Sequence, residues 1–255
     1  MKTLILAAGE GSRTQEITKD MPKSIFPLNN RKDTTLSILM KNLVDHGFNE
    51  IILVGGYKIE ELREEIPKIQ PEGCKIELID ANPDYQKGPI YSFLAAYEQM
   101  INEKQFLLIP GDSIFSSSFF KFIQKLNFIE NGYRLFYYRS DIYPPSGSQC
   151  LLTNFADQIG KVKKIITLDK WKEIYLRKHE FYPILIPLII LPGEFFKYAK
   201  EQSEKGVKNV ISALTSFCKS ENNCKSYQFY TNKWVFHDFD IPNDISKIQE
   251  LIKNE

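Results

Sequence analysis

Short apolar runs alternate with amphipathic stretches through the first half of the chain. Residues 2–7 are nearly all apolar, as a strand buried on both faces requires, and 51–54, 76–79 and 106–109 repeat the pattern. Between them apolar positions recur at helical spacing. One stretch carries Leu36, Leu39, Met40, Leu43 and Val44, and another carries Ile90, Phe93, Leu94, Tyr97 and Met100 or Ile101. Asp33 or Thr34 can cap the first of these helices, and Gly47 suits its end. A charged helix over 59–66 should stop at Pro67, Pro89 fits the first turn of the next helix, and 119–126 is helical again.

Strands that alternate with helices through short links predict a Rossmann-like three-layer α/β sandwich with a mostly parallel central sheet. Right-handed crossovers place the strand C-termini on one edge, where open sheets of this kind bind ligands. The loop after the first strand, Gly55-Gly56 and Gly111-Asp112 should therefore meet there. The second half is less regular: 133–138, 162–166, 185–191 and 227–230 read as strands, and 194–202, 207–217 and 245–252 as helices. No repeat or linker interrupts the chain, so one domain over 1–255 is expected. It divides into a first half of about 1–130 and a part of about 131–255 that ends in a small C-terminal elaboration.

Composition narrows the partners. The 255 residues are 43% hydrophobic, enough for a sizeable core, and the formal net charge is only +1. That balance offers no field to attract nucleic acid or an anionic membrane, so a small-molecule partner is expected. The longest apolar run, 185–191, is interrupted by Pro187 and is too short to span a bilayer. Met1-Lys2 leads straight into the first strand, so no signal peptide is expected. Cys74, Cys150, Cys218 and Cys224 form no C-x-x-C pair and have no histidine at ligand spacing. Reduced thiols and a cytoplasmic location are the expectation.

The candidate chemistry starts at the end of the first strand. Leu6-Ala7-Ala8-Gly9-Glu10-Gly11-Ser12-Arg13 is an apolar strand end running into a glycine loop, and Pro22-Lys23 follows. Gly9 and Gly11 let backbone amides approach phosphate oxygens, Arg13 offers a planar charged fork, and Lys23 offers a compact charge whose approach Pro22 directs. Other glycine loops fit less well. No G-x-x-x-x-G-K-[ST] string exists, Thr14 stands where a dinucleotide fingerprint has its third glycine, and Gly55-Gly56 stands where that fold has an acid. Asp112 follows a buried strand and is a hard oxygen ligand suited to Mg²⁺, although Gly-Asp pairs also serve ordinary turns.

Leu6-Ala7-Ala8-Gly9 with Gly11-Ser12-Arg13, followed by Thr18-Lys19-Asp20-Met21-Pro22-Lys23, resembles the opening motif of the sugar-phosphate nucleotidyltransferase family, including the related phosphocholine and inositol-phosphate cytidylyltransferases. The resemblance implies the GT-A-like version of the sandwich, with a nucleotide-binding first half and an acceptor-binding second part. It implies a Mg²⁺-dependent enzyme that moves a nucleotidyl group from a nucleoside triphosphate to a small phosphorylated acceptor and releases pyrophosphate. By the same resemblance, 6–12 line the nucleotide, Arg13 grips the leaving pyrophosphate, and Lys23 meets the α-phosphate and the attacking phosphate.

Later segments extend the likeness. Trp234 to Asp244 is similar to the family's late motif, in which Asp238 matches the second metal ligand and Asp240 is the alternative; Asp244 suits a helix cap. Residues 82–92 resemble the base-reading loop, which gives Asn82, Gly88 and Ser92 to the nucleotide. Lys163 lies in a segment that borders the acceptor pocket in this family. The Glu-Lys-Pro string of many hexose-phosphate enzymes is missing after it. Three readings stay open: a sugar 1-phosphate acceptor, giving an activated sugar for glycan or surface-polysaccharide synthesis; phosphocholine, inositol phosphate or another phospho-alcohol; and a regulatory subunit of the same fold. The base is open, and so is the oligomeric state, a homo-oligomer included.

Overall fold

A computed structural model describes residues 1–28, 33–126, 132–142, 144, 148–153, 155, 158–175, 180–220, 224–231 and 234–253. In the first half the order is β1 (Lys2–Leu6), α1 (Gln15–Thr18), α2 (Thr35–Asp45), β2 (Glu50–Gly55), α3 (Ile59–Ile69), β3 (Lys75–Asp80), α4 (Pro89–Leu94), α5 (Tyr97–Met100), β4 (Phe106–Pro110), β5 (Ser113–Phe115) and α6 (Ser117–Lys125). The second half adds β6 (Tyr133–Ser140), β7 (Gln149–Leu152), β8 (Ile159–Lys161), β9 (Lys164–Thr167), α7 (Leu168–Ile174), β10 (Tyr182–Leu191), α8 (Phe195–Glu204), α9 (Val210–Ser220), β11 (Cys224–Gln228), β12 (Phe236–Asp238) and α10 (Asp244–Lys253).

The main sheet runs β3-β2-β1-β4-β10-β6-β11-β8, and only β10 and β8 oppose the other six strands. Because side chains alternate faces along a strand, each central strand feeds two cores. Leu4, Phe106 and Leu108 pack under α4, α8 and α9 with Phe93, Phe196 and Leu214. Ile5, Leu107 and Ile109 pack on the other side with Leu39 of α2, Leu62 of α3 and Phe120 of α6. This is the expected three-layer sandwich. The expected division near residue 130 falls on 127–131, outside the described residues.

Several elements differ from expectation, each for a visible reason. Pro67 does not end the charged helix: α3 continues to Ile69, which packs on the same core as Ile66 one turn back. The expected single helix after Pro89 is two, because the Ala96 N–H reaches back to Phe93 rather than to Ser92. The break sets Phe93 face to face with Phe196 at 4.0 Å and Tyr97 edge-on to the same ring at 6.0 Å. Such ring pairs contribute about 1 kcal/mol beyond their buried area.

The expected strand over 162–166 is also split. The Val162 N–H bonds Cys224 on one side and the Lys163 N–H bonds Leu152 on the other, so the chain changes partner between β8 and β9. β10 begins earlier than expected and passes through Pro187, where its register with β6 shifts between Ile186 and Ile189. The short elements α1, α7, β5, β7 and β12 were not expected at all. Cys218 and Cys224 are joined as a disulfide, which corrects the expectation of four free thiols; Cys74 and Cys150 are free and buried. Among the described residues no helix is long and apolar enough to cross a membrane.

Candidate active site

The three loops expected to meet are tied together by backbone bonds. Ala7 N–H donates to Val54, Tyr57 N–H to Ala8, and Gly111 N–H to Leu6, at 2.8–3.0 Å. Above them opens a cavity of about 1000 Å³. Leu6, Ala7, Ala8, Gly9, Glu10 and Ser12 of the strand–loop motif line it, and Gly11 does not. Gly11 holds φ +65°, and a Cβ there would stand 2.8 Å from Thr14 Oγ1, so the bend needs glycine. The loop closes on Thr14, whose N–H and hydroxyl both donate to the Gly11 carbonyl.

Lys23 stands on a short 3₁₀ turn directly after Pro22, and its ammonium forms an ion pair with Asp112 and a second, at 3.2 Å, with Asp240. Arg13, whose side chain is 60% exposed and which does not line the cavity, donates to the same Asp240 carboxylate at 2.7 Å. Burial alone would lower the Lys23 pKa. The charge and hydrogen bond of Asp112, joined by those of Asp240, outweigh it and raise the pKa, so the lysine keeps its proton. Two cations and two carboxylates from positions 13, 23, 112 and 240 thus form one cluster.

The carboxylates arrive by way of a two-stranded ribbon. β12 pairs antiparallel with β5, setting Asp238 opposite Ser113, and the Phe239 N–H bonds the Asp112 carbonyl at 2.9 Å. Asp238 accepts a 2.5 Å bond from the Ser113 hydroxyl. Burial, followed by the charge of Asp112, pushes the Asp238 carboxyl up to about 7, with the Ser113 bond pulling the other way. Asp244 does more than cap α10. One of its oxygens accepts from the N–H groups of Asp240 and Ile241 at 2.9 Å, and the other faces His237 Nε2 at 3.2 Å, so it pins the turn that carries Asp238 and Asp240.

Other sequence-predicted residues are placed less centrally. Ser92 lines the cavity. Asn82 is exposed and outside the lining, where its amide bonds the Gly56 carbonyl and Asp80. Gly88, at φ +135°, packs its backbone against Lys208, where a Cβ would lie 2.8 Å from the carbonyl. Lys163 is exposed at the junction of β8 and β9 and does not line the cavity. The far wall is built by residues the sequence did not single out: Tyr138, Gln149, Leu185 and Pro187, from β6, β7 and β10. Nothing local marks them, because strands distant in sequence bring them together. Burial and the Asp238 charge push the Tyr138 hydroxyl up to about 12, and its ring meets Phe236 edge-on at 6.3 Å.

Among the described residues no group of three or more His, Cys, Asp and Glu side chains is disposed to hold a metal ion. The donor set nonetheless suits Mg²⁺, which takes one or two protein carboxylates and completes its shell with water and substrate phosphate. The Lys23 ammonium already shows Asp112 and Asp240 turned toward a single cation.

Comparison with known proteins bears on the family and the fold. A family model described as Nucleotidyl transferase matches residues 2–146. A CTP:phosphoglutamine cytidylyltransferase of Campylobacter jejuni is 37% identical over 113 residues, 43% of this chain and 42% of that protein. A UTP–glucose-1-phosphate uridylyltransferase of Haloferax volcanii is 29% identical over 118 residues, 46% of each chain. The chain therefore matches less than half the length of these two relatives. The solved structure of an inositol-1-phosphate CTP transferase from T. maritima superposes with a TM-score of 0.76 at 21% identity, over 99% of this chain and 94% of that one, which shows a shared fold.

Proposed function

Because the chain belongs to the nucleotidyl transferase family, we propose that it transfers a nucleotidyl group from a nucleoside triphosphate to a small phosphorylated acceptor and releases pyrophosphate. The observation that carries this reading is the convergence of Lys23, Asp112 and Asp240 in the lining of the glycine-loop cavity, with Arg13 paired to Asp240. The nucleophile is an oxygen of the acceptor's phosphate, already ionised near neutral pH, so no general base is needed. That oxygen bonds to the α-phosphorus as the bond to the bridging oxygen of pyrophosphate breaks. The difficulty is that one anion must attack another, and the residues answer it with charge and position. Backbone amides of 8–12 receive phosphate oxygens, Arg13 holds the leaving pyrophosphate, and Lys23 screens the α-phosphate from the attacking group.

We assign the cation seat to Asp112 with Asp240, the carboxylate that shares the Lys23 ammonium with it; Asp238 adjoins them across the β5–β12 ribbon. A Mg²⁺ bound there would neutralise charge on the triphosphate and help align it. The intact ionic cluster favours an enzyme over a regulatory subunit.

For the acceptor, the far wall offers two rings, Tyr138 and Phe236, beside apolar Leu185 and Pro187. Those rings suit a compact or cationic phospho-alcohol, while Gln149 and Asn209 in the same lining offer partners to the hydroxyls of a sugar 1-phosphate, so both acceptor classes enter the test. Similarity to a cytidylyltransferase makes CTP the first triphosphate to try. The test is a matrix of common nucleoside triphosphates against phosphocholine, inositol phosphate and sugar 1-phosphates, scored for pyrophosphate release. Release with one pair supports the reading, and release with none from folded protein refutes it.

A further inference from the structure

Thr35 is the first residue of α2 and is fully buried. Its hydroxyl lies 3.0 Å from the carbonyl oxygen of Ser24 and 3.1 Å from that of Gly111. A hydroxyl carries one proton, so it donates to the two acceptors as a shared bond or by turns. Each acceptor adjoins a member of the central ion pair: Ser24 follows Lys23, and Gly111 precedes Asp112. One side chain therefore joins two chain segments that are 76 and 11 residues away from it in sequence.

The donor is held rigidly. Immediately upstream, Thr34 and Ser37 exchange the two bonds of a capping box at 3.0 and 2.9 Å. Downstream, Leu36, Leu39, Met40 and Leu43 anchor α2 in the core. Of the two acceptors, Gly111 is also tied to β1 through its N–H to the Leu6 carbonyl, and Ser24 lies within the short 3₁₀ turn that carries Lys23. Ser24 is buried with its own hydroxyl making no hydrogen bond, and Gly111 has no side chain. Valine would match threonine in shape here and leave both buried carbonyls without this donor.

We propose that Thr35 is a positioning residue: its hydroxyl fixes the separation of the Lys23 and Asp112 segments, and so the place where the ammonium meets carboxylate and incoming phosphate. The inference rests on the roles given to Lys23 and Asp112 above. Small displacements of a charge-bearing group in such a site reduce turnover by up to about a hundredfold.

The test is a set of variants. Thr35→Val should fold and lower kcat about tenfold, with the triphosphate KM nearly unchanged, the pattern of a contact that matters chiefly in the transition state. Thr35→Ser keeps the hydroxyl and should stay within about twofold of wild type. Because Thr35 acts through the Lys23–Asp112 pair, Thr35→Val should cost less in a Lys23→Ala background than in wild type. A second arm needs no turnover. The coupling between Lys23→Ala and Asp112→Asn, read from urea unfolding midpoints, should shrink toward zero once Thr35→Val is present. If Thr35→Val does not fold, Thr35→Ala takes its place in both arms. Equal behaviour of the valine and serine variants, or an undiminished coupling, overturns the inference. Absence of transfer in every variant and in wild type refutes the proposed function and leaves the unfolding arm to decide on Thr35.

Discussion

The two halves of the molecule solve different problems with different kinds of contact. In the first, β1 to β4 lie side by side in parallel, and the loops leaving β1 and β4 deliver Arg13, Lys23 and Asp112 within a short stretch of chain from each strand end. In the second, strands switch direction and partner, and the wall of the cavity comes from β6, β7 and β10 together with the β12 segment. In the proposed function, phosphate handling rests on backbone geometry near a strand end, which tolerates few sequences, and acceptor recognition rests on long-range pairing, which tolerates many. The family match covers 2–146, which takes in the first half and β6.

The comparison breaks most readily at Lys23. Lys23→Ala should lower kcat by about a hundredfold or more, the scale of one missing contact to developing charge. Steady-state pyrophosphate release measures it; unaltered turnover would remove the first half from the chemistry. Next comes the choice between two acids that both lie on the late segment. Asp240→Asn should raise the Mg²⁺ concentration for half-maximal rate by at least about tenfold, the cost of disturbing a ligand and its surroundings. Asp238→Asn should raise it less, and the reverse order would move the seat to Asp238. A change in the far wall should read differently: Tyr138→Ala raises the acceptor KM by about tenfold, the scale of apolar packing removed from a pocket, and leaves the triphosphate KM alone. Equal changes in both constants would erase the distinction between the halves.

The smallest effect concerns pH. Burial and the Asp112 charge hold the Asp238 carboxyl at about 7 in the folded protein, against 3.8 ordinarily. The folded state thus keeps a proton that the unfolded chain has already released. Stability of the cation-free protein should fall as pH rises through that window and level off above it. Asp238→Asn has no such proton to lose, so its unfolding midpoint should gain on wild type from acid toward neutral pH and hold the gain beyond. Parallel profiles would show that the carboxyl is not so confined.

Much of the first half was legible because its signals are local. Apolar runs marked β1, β2, β3 and β4, Thr34 and Gly47 marked the ends of α2, and the glycine loop with Lys23 marked part of the cavity lining. Where the reading missed, tertiary structure had overridden a local rule. Pro67 stays inside α3 while Ile69 packs on the core, and Ala96 breaks a helix so that two rings can meet Phe196. Val162 and Lys163 belong to different strand pairings although they are neighbours in sequence. The carboxylate cluster was half legible: spacing from Pro242 pointed to Asp238, while the ion pairs with Arg13 and Lys23 distinguish Asp240 only once β12 lies against β5. Tyr138 and Pro187 carried no signal, since what makes them cavity wall is the sheet order and the register shift in β10.

The central claim is that the glycine loop, Asp112 and the late carboxylate Asp240 share one magnesium–triphosphate complex. Calorimetric titration of the triphosphate chosen by the pyrophosphate matrix, with and without Mg²⁺, tests it most directly in wild type and Asp112→Asn. The account expects Mg²⁺ to tighten binding to wild type by at least about tenfold, and to do little for the variant. An equal gain from Mg²⁺ in both proteins would contradict it.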